Sequence, residues 1–269
     1  MKEFLKEYFE KMKVEYFSVI SYSDCRVTES RIIERESFTP RSVIIFLLPY
    51  YTGETVNISR YAASRDYHLA IKEVGEGLCE CLAREYKGAN MHIYGDHSPI
   101  DERHAALIAG LGILGDNGLI INEKYGSYIF VGDVITDIDP EELCAVAPSP
   151  IKRCEGCGVC KSSCPTGALS GKSTECLSAI TQKKGELTED ECALMRKYNT
   201  AWGCDECQRY CPHNLLPPVT PIEFFGKDPI YHLTREVLDN MSDDEFSRRA
   251  FAWRKRKTVE RNLDILAKK

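Results

Sequence analysis

The stretch Cys154-Glu-Gly-Cys-Gly-Val-Cys-Lys-Ser-Ser-Cys-Pro165 carries its cysteines in the spacing C-x2-C-x2-C-x3-C-P. A shorter run, Cys204-Asp-Glu-Cys-Gln-Arg-Tyr-Cys-Pro212, follows with the spacing C-x2-C-x3-C-P. A 4Fe-4S cluster needs several thiolates around one small object, and cysteines spaced this closely on a tight loop supply most of them. In both runs the last cysteine precedes a proline, as in ferredoxin-like modules with two clusters. The two runs therefore predict a double 4Fe-4S cluster domain.

The ligands divide between the clusters by the two-cluster ferredoxin rule, in which the cysteine before proline ligates the cluster of the other run. The rule assigns to the first cluster Cys154, Cys157, Cys160 and Cys211. The second cluster then has Cys164, Cys204 and Cys207 and lacks one ligand. We expect Cys176 to complete it, with Cys192 as the second candidate.

Zinc and disulfides are the alternative uses of closely spaced cysteines. Structural zinc sites use Cys and His ligands without a proline-terminated quartet, and disulfide frameworks belong to oxidising compartments. The chain opens with Met1-Lys-Glu-Phe-Leu-Lys-Glu, which has no apolar signal core, and no apolar stretch of about 18 residues can span a bilayer. These features predict a cytoplasmic protein with no membrane partner, whose thiols stay reduced.

Charge is distributed unevenly along the chain. The net charge of −6 excludes an overall basic field that would attract nucleic acid. The segment from Ser247 to Arg261 is basic, with Glu260 as its one acidic residue. Its cations are Arg248, Arg249, Arg254, Lys255, Arg256, Lys257 and Arg261. We expect a helix here, and both a solvated face and a phosphate-contacting surface fit its charge.

Apolar periodicity predicts alternating helices and strands up to about residue 137, which favours an α/β sandwich. The expected elements are a helix over 1–13, strands over 17–22 and 42–51, a helix over 64–86, a strand over 90–96, a helix over 100–109 and two strands within 119–136. The strand that starts at Ser42 is apolar enough to be buried on both faces. Ser98 and Pro99 are expected to start the helix over 100–109, and a turn around 123–126 joins the last two strands.

Three regions follow from these patterns. Residues 1–140 form an α/β cofactor and substrate domain, 141–218 a ferredoxin-like double 4Fe-4S domain, and 219–269 a helical basic tail. Between the two cysteine runs, helices are expected over about 175–181 and 189–197. A ferredoxin needs little beyond the cysteine module. The preceding α/β region is therefore expected to hold the site that receives the electrons.

The glycine-rich segment Gly110-Leu-Gly-Ile-Leu-Gly115 follows a predicted helix rather than a strand. A dinucleotide-binding loop requires the strand, so this segment is not expected to cradle phosphates. Tight backbone packing and close approach of a large planar cofactor are the two uses that remain.

Several blocks resemble the epoxyqueuosine reductase family, in register over nearly the whole chain. In the α/β region they are Ile58-Ser-Arg-Tyr-Ala-Ala-Ser-Arg-Asp-Tyr-His68, Asp96-His-Ser-Pro-Ile-Asp-Glu-Arg103, Ala109-Gly-Leu-Gly-Ile-Leu-Gly-Asp-Asn117 and Lys124-Tyr-Gly-Ser-Tyr-Ile-Phe-Val-Gly-Asp-Val-Ile-Thr-Asp137. Further along they are the segment from Cys154 to Leu169, Glu175-Cys-Leu-Ser-Ala-Ile-Thr181 and Gly203-Cys-Asp-Glu-Cys-Gln-Arg-Tyr-Cys-Pro-His-Asn214.

The resemblance implies a cobalamin enzyme with two 4Fe-4S clusters, related to reductive dehalogenases, that removes the epoxide oxygen of epoxyqueuosine in tRNA to give queuosine. Asp96 is similar to the family's general acid, and a capping carboxylate is its alternative use. The residues implied to contact the corrin or substrate are Arg60, Tyr61, Tyr67, His68, Gly110, Gly112, Gly115, Tyr125, Gly126 and Ser127.

The resemblance also implies partners. Longer family members continue into helical repeats that help grip tRNA, and this sequence lacks them, so its tRNA contacts are expected in the segment from Arg248 to Arg261. An external donor such as ferredoxin or flavodoxin is expected to supply electrons. Other functions stay open at this point: an electron-transfer or corrinoid-reactivating iron-sulfur protein, a reductive dehalogenase, or a reductase of another small substrate.

Overall fold

The computed structural model of the chain describes residues 1–35 and 38–268, so the last residue of the predicted tail lies outside the described part. Internal contacts divide the chain into two compact units. The first unit comprises Met1–Pro49 and His68–Glu155, and the second comprises Tyr50–Tyr67 and the chain from Gly156 onward. The segment Tyr50–Tyr67 thus packs with the cysteine-rich part of the chain. The three-region division stays a prediction.

The first unit is built on a four-stranded antiparallel sheet in the order β1-β2-β6-β3. Its strands are β1 (Phe17–Ser21), β2 (Ser42–Pro49), β3 (Met91–Tyr94) and β6 (Ile129–Thr136). All residues of β2 are buried, which confirms the prediction for this strand. A separate two-stranded ribbon pairs β4 (Ile113–Leu114) with β5 (Ile120–Ile121).

Four helices accompany the sheet: α1 (Glu3–Lys11), α2 (Ser30–Ile33), α3 (Tyr67–Glu85) and α4 (Glu102–Ile108). The buried face of α4 packs on β2 and β6 in one apolar core. The described members of that core are Ile20, Val43, Ile45, Leu47, Ile100, Ala105, Ala106, Leu107, Ile108, Leu111, Ile120 and Ile135. Their periodicity, two along strands and three to four along α4, is the one that the sequence predicts.

One local expectation for the first unit is wrong and another is confirmed. The helix α4 is capped by Asp101, whose carboxylate accepts a hydrogen bond from the backbone N–H of His104, and not by Ser98. The Ser98 hydroxyl instead donates to Asp133 on β6 at 3.2 Å. The two strands predicted within 119–136 are present, and the turn predicted between them is closed by a bridge between Asn122 and Gly126. The strand β5 pairs with β4, whereas β6 pairs with β2 and β3.

The second unit consists of short helices around a different core. They are α5 (Val159–Ser162), α6 (Leu177–Thr181), α7 (Glu189–Lys197), α8 (Glu206–Arg209), α9 (Glu223–Gly226), α10 (Arg235–Asp239), α11 (Asp243–Ser247) and α12 (Arg256–Ala267). Short 3-10 helices occupy Tyr22–Asp24, Arg60–Ala62, Ala168–Ser170, Pro212–Asn214 and Ala252–Arg254. The largest buried side chain of this core is Trp202, which packs edge-on against Phe251. None of the described helices is long and apolar enough to cross a bilayer.

The basic segment is not one helix, contrary to expectation. Its chain leaves α11, passes through the 3-10 helix and enters α12, with a left-handed backbone at Lys255 (φ 71°) between them. The Arg256 guanidinium donates to the carbonyls of Leu238 and Met241 at 2.6 and 2.9 Å. Arg261 likewise donates to the carbonyl of Lys183 at 2.8 Å. These two arginines therefore bind backbone carbonyls within the second unit.

Candidate functional site

The second unit brings the two cysteine runs side by side. Cys160 lies on α5 and Cys207 on α8, and these helices pack against each other. The Ser163 hydroxyl donates a hydrogen bond to the carbonyl of Glu206 at 3.2 Å across that contact. The short helices thus pair the runs in the way that a two-cluster module requires, since each cluster draws its last ligand from the other run.

Left-handed glycines shape the first run. Gly156 and Gly158 have φ of 67° and 77°, and Gly158 directly precedes α5. A Cβ on either would meet no atom within 4 Å, so the backbone conformation and not the available space requires glycine here. The two left-handed glycines flank Cys157, and α5, which carries Cys160, begins directly after the second of them.

The sulfur of Cys164 lies in a ring of backbone donors. Burial works to raise the pKa of this thiol, but hydrogen bonds from the backbone N–H groups of Leu169, Thr166 and Ala168 and from the Thr166 side chain outweigh it and lower the pKa. N–H groups directed at sulfur favour the thiolate, the form that ligates iron. Burial raises the pKa of Cys204 to about 12, so this thiolate needs the positive charge of a bound metal.

The remaining predicted ligands are placed individually. Cys154 belongs to the first unit, where its sulfur accepts a hydrogen bond from the backbone N–H of Asp116 at 3.3 Å. Cys176 is exposed and directly precedes α6, whereas Cys192 is partly buried on α7 against an apolar cluster. Every cysteine of the described chain is a free thiol, and no group of three metal-binding side chains there is arranged around a single ion. Cluster thiolates each bind a different iron, so convergence on one ion is not required of them.

Asp96 occupies a strained position in the first unit. It follows β3 with a left-handed backbone (φ 66°), which is uncommon for a residue other than glycine. Its backbone N–H donates to the carboxylate of Glu102 at 3.1 Å. Its own carboxylate lies 3.8 Å from His68 Nε2, and the two side chains are 59% and 46% exposed. Asp96 and His68, both predicted as site residues, are therefore brought together in a place that a substrate can reach.

Two further carboxyl groups, those of Glu102 and Asp133, lie near Asp96. The sequence patterns alone did not predict them as site residues. Asp133 is fully buried on β6 and accepts a hydrogen bond from Ser98, while its other oxygen has no partner among the described residues. Burial, and next the charge of Glu102, raise the pKa of Asp133 well above its usual range. Burial, and next the charge of Asp96, raise the pKa of Glu102 to about 7. The available signal was an aspartate in the middle of an apolar strand, Ile129-Phe-Val-Gly-Asp-Val-Ile-Thr136.

A cavity of about 1150 Å³ opens next to His68 in the first unit. It runs along α3 and the edge strand β3, and Gly95 and His68 are among its lining residues. The lining mixes apolar side chains such as Ile71 and Ile93 with polar ones such as Lys72. A cavity of this size and mixed lining suits a large cofactor or substrate.

In the second unit, Arg60, which is predicted to contact the corrin or substrate, is buried in ion pairs within the protein. Its side chain is 3% exposed and forms ion pairs with Asp205 at 3.3 Å and with Glu54. The Tyr61 hydroxyl accepts a hydrogen bond from Trp202 Nε1 at 2.9 Å. Tyr67 is the first residue of α3. A corrin-contacting role for these three residues stays a prediction.

The glycine segment has a clear packing role. A Cβ on Gly112 would lie 2.7 Å from the carbonyl oxygen of Ile121, and one on Gly115 would lie 3.2 Å from the carbonyl oxygen of Leu119. The two glycines flank β4 and let it approach β5 closely. Gly110, with φ of 77°, follows the end of α4.

The predicted contacts at 125–127 lie in a tight turn closed by Asn122, whose side-chain oxygen accepts from the backbone N–H of Tyr125 at 3.1 Å. The backbone N–H of Gly126 donates to the Asn122 carbonyl at 3.0 Å, and the Tyr125 hydroxyl donates to Glu15 at 3.0 Å. Ser127 is buried next to this turn. As cofactor contacts these residues stay predictions.

Comparison with known proteins identifies both parts of the chain. The family model described as epoxyqueuosine reductase QueG matches residues 34–96, and the model described as 4Fe-4S double cluster binding domain matches residues 153–214. The epoxyqueuosine reductase of Gloeobacter violaceus is 34% identical over 227 residues, which cover 77% of this chain and 69% of that protein. The Escherichia coli epoxyqueuosine reductase is 34% identical over 200 residues, which cover 70% of this chain but only 50% of that protein.

Solved structures share the fold. A crystal structure of selenomethionine-labeled epoxyqueuosine reductase superposes with a TM-score of 0.76 at 22% identity, covering 97% of this chain and 80% of that one. Epoxyqueuosine reductase with a tRNA-Tyr epoxyqueuosine-modified stem loop gives 0.74 at 22% identity, covering 97% and 79%. These likenesses confirm the predicted α/β fold with its ferredoxin-like module. The chain therefore belongs to the epoxyqueuosine reductase family and is an oxidoreductase with a double 4Fe-4S cluster domain.

Proposed function

We propose that this chain removes the epoxide oxygen of epoxyqueuosine in tRNA to give queuosine, using cobalamin and two 4Fe-4S clusters. Membership of the family supports the reaction, and the related structure with a modified tRNA stem loop supports the substrate. The observation in this chain that carries the proposal is the carboxyl group of Asp96, held on a strained backbone beside His68 and next to the cavity. Strain of this kind concentrates at functional sites.

The residues present suit these cofactors. The ligand set we propose for the clusters is Cys154, Cys157, Cys160, Cys164, Cys176, Cys204, Cys207 and Cys211. The backbone N–H groups around Cys164 support the thiolate form. For the corrin, we propose the cavity beside His68, whose lining mixes apolar and polar side chains.

Asp96 is the proposed general acid. When bound, the clusters and the corrin cobalt supply electrons to the substrate. Asp96 transfers its proton to the epoxide oxygen as a C–O bond breaks, and the neighbouring Glu102 holds its backbone in place. The exposed carboxyl can meet a substrate that enters from solvent.

The test is the Asp96→Asn variant, assayed with reduced, cofactor-loaded protein on a tRNA stem loop carrying epoxyqueuosine. We expect turnover to fall by about 10²- to 10⁴-fold, the usual contribution of a general acid, while iron, sulfide and cobalt content stay unchanged. Asp24→Asn, an exposed aspartate in the same unit, is the matched control. Wild-type turnover in Asp96→Asn, or a protein that never binds cobalamin, contradicts the proposal; the latter outcome favours a pure electron carrier.

For tRNA binding, we propose the exposed part of the basic segment. Lys255 and Lys257 are exposed, and the Arg254 guanidinium stacks on the half-exposed Trp253 ring at 3.8 Å. Exposed lysines are suited to phosphates, and an exposed indole can stack on an unpaired base. Arg256 is committed to internal carbonyls and is not expected to contribute.

The lysine contacts are tested by the double variant Lys255→Glu/Lys257→Glu. We expect weaker stem-loop binding and a logarithmic salt dependence that is less steep by about 2, one for each lysine that no longer neutralises a phosphate. Lys11→Glu/Lys87→Glu changes the charge equally on exposed positions of the first unit and should leave the salt dependence unchanged. Equally weakened binding in the two double variants would rule out a specific contact. An external donor such as ferredoxin or flavodoxin, and a cytoplasmic location, complete the proposal.

A further inference from the structure

The proposed reaction needs more protons than Asp96 holds. Converting an epoxide to an alkene and water consumes two electrons and two protons, because the oxygen leaves with both. Asp96 carries one exchangeable proton, so a second must reach the oxygen within the same turnover. A protein group that supplies this proton faster than solvent does has to lie near Asp96 and hold a proton at neutral pH. This requirement rests on the proposed function.

Glu102 and Asp133 meet both conditions. Glu102 contacts Asp96 directly, since its carboxylate oxygen lies 3.1 Å from the Asp96 backbone nitrogen. Asp133 is fully buried, one of its oxygens has no donor in residues 1–35 and 38–268, and the Glu102 side chain is near enough for its charge to act on Asp133. Two carboxyl groups whose charges act on each other favour a state in which one of them keeps a proton. The pair therefore retains a proton that neither group would keep alone in water.

We propose that Glu102 and Asp133 form a proton-sharing pair that refills Asp96 with the second proton, and that Glu102 also positions Asp96. In the refilling step the O–H bond of Glu102 breaks and an O–H bond forms on the Asp96 carboxylate, with no change of oxidation state. Glu102 is only partly buried, so solvent can return its proton. Asp133 acts as a positioning residue, because it is fully buried and is not among the residues that line the cavity.

Other ionisable groups face the pair and set its charge balance. Asp96 raises the pKa of Glu102 and His68 lowers it, so the two act in opposite directions. Asp133 in turn raises the pKa of Cys25 after burial has done so, which keeps that thiol protonated and uncharged. His68 is the competing source of the second proton, because its Nε2 lies 3.8 Å from the Asp96 carboxylate.

The experiment distinguishes the role of Glu102 and Asp133 from that of the proposed general acid, Asp96. Glu102→Gln keeps an oxygen that accepts from the Asp96 backbone but cannot transfer a proton. We expect turnover at pH 7 to fall by about 10- to 100-fold in Glu102→Gln, with a larger solvent isotope effect and unchanged cofactor content. Infrared spectra of the wild-type protein should show a protonated carboxyl band that persists to pH 7 and disappears in both Glu102→Gln and Asp133→Asn.

The infrared measurement needs no turnover, so it judges the pair even if the proposed substrate is wrong. No protonated band in the wild-type protein overturns the proposal whatever Asp96→Asn does. A band with wild-type turnover and isotope effect in Glu102→Gln also overturns it. If His68→Gln, and not Glu102→Gln, shows the expected drop in turnover and the isotope effect, the second proton comes from His68 and the proposal for Glu102 and Asp133 is wrong. A drop confined to Glu102→Gln, with Asp24→Asn unaffected, supports the pair.

Discussion

Two buried aspartates, one in each unit, are held in opposite ways. Asp205 in the second unit is surrounded by donors: its carboxylate accepts from the Ser59 hydroxyl, from the Arg60 backbone N–H at 2.6 Å and from the Arg60 guanidinium at 3.3 Å. Asp133 in the first unit has one hydroxyl donor, Ser98, and an oxygen without a partner in the described chain. Both side chains are almost inaccessible to solvent.

The difference suggests that Asp205 stabilises the fold, whereas Asp133 takes part in proton transfer. Burial raises the pKa of both carboxyl groups, and around Asp205 the hydrogen bonds from Ser59 and Arg60 and the Arg60 charge oppose this rise without reversing it. Asp205 thus has the partners that a buried anion needs. Around Asp133 the nearest charge is a second carboxylate, which favours retaining a proton. A fold that needed only stability would have no reason to keep such a pair, which is why we connect it with proton transfer.

The strongest test of this contrast replaces each aspartate by asparagine. Asp205→Asn removes the buried partner of Arg60 and leaves the exposed Glu54 as its remaining ion pair of the two, and we expect the free energy of unfolding to fall by about 3 kcal/mol. Asp133→Asn removes no ion pair and keeps the bond from Ser98, so we expect a change of about 1 kcal/mol or less. Denaturant unfolding of the cluster-loaded protein under anaerobic conditions measures both. Equal destabilisation would show that the two sites do not differ in kind.

The pH dependence of stability gives the next largest effect. The pKa of Glu102 is raised from 4.5 to about 7 in the folded protein, so between these values the native state holds a proton that the unfolded state has released. Its stabilising contribution is complete below pH 4.5 and disappears as the pH rises through about 7. The free energy of unfolding should therefore fall by on the order of 1 kcal/mol per pH unit in this window.

Comparing variants isolates that slope from the other titrating groups. Glu102→Gln should unfold with a flatter pH dependence between pH 4.5 and 7 than the wild-type protein. Melting temperatures across that range measure the slopes. Parallel curves for wild-type and Glu102→Gln would show that Glu102 titrates normally.

Local signals in the sequence were sufficient for much of the fold. The cysteine spacing predicted the double cluster domain, and an uninterrupted apolar run predicted that β2 is buried on both faces. Helix α7 lies where a helix is predicted between the cysteine runs, and a capping box at Thr188 starts it. These are properties of consecutive residues, which the sequence states directly.

Pairing between distant residues could not be predicted in the same way. The residue pattern of β5 does not indicate which strand it pairs with. The structure shows that its partner is β4. The sequence predicts that the arginines of the basic segment face solvent. It cannot show that they bond to carbonyls distant in the chain, as Arg256 does to Leu238. The carboxyl pair behind Asp96 was missed for the same reason, since Glu102 starts a helix and Asp133 lies within a strand.

The smallest effects come from the serines that serve the two aspartates. Ser59→Ala removes a hydrogen bond to a buried carboxylate that is paired with Arg60, and we expect the free energy of unfolding to fall by about 2 kcal/mol. Ser98→Ala removes the bond that lowers the pKa of Asp133, and because that carboxyl shares a proton we expect a decrease of about 1 kcal/mol or less. The Ser98 variant should also hold its protonated carboxyl infrared band to higher pH than wild type, which a purely structural serine would not do. A larger decrease for Ser98→Ala than for Ser59→Ala would mean that Asp133 is ionised in the folded protein, and the contrast between the two aspartates would fail.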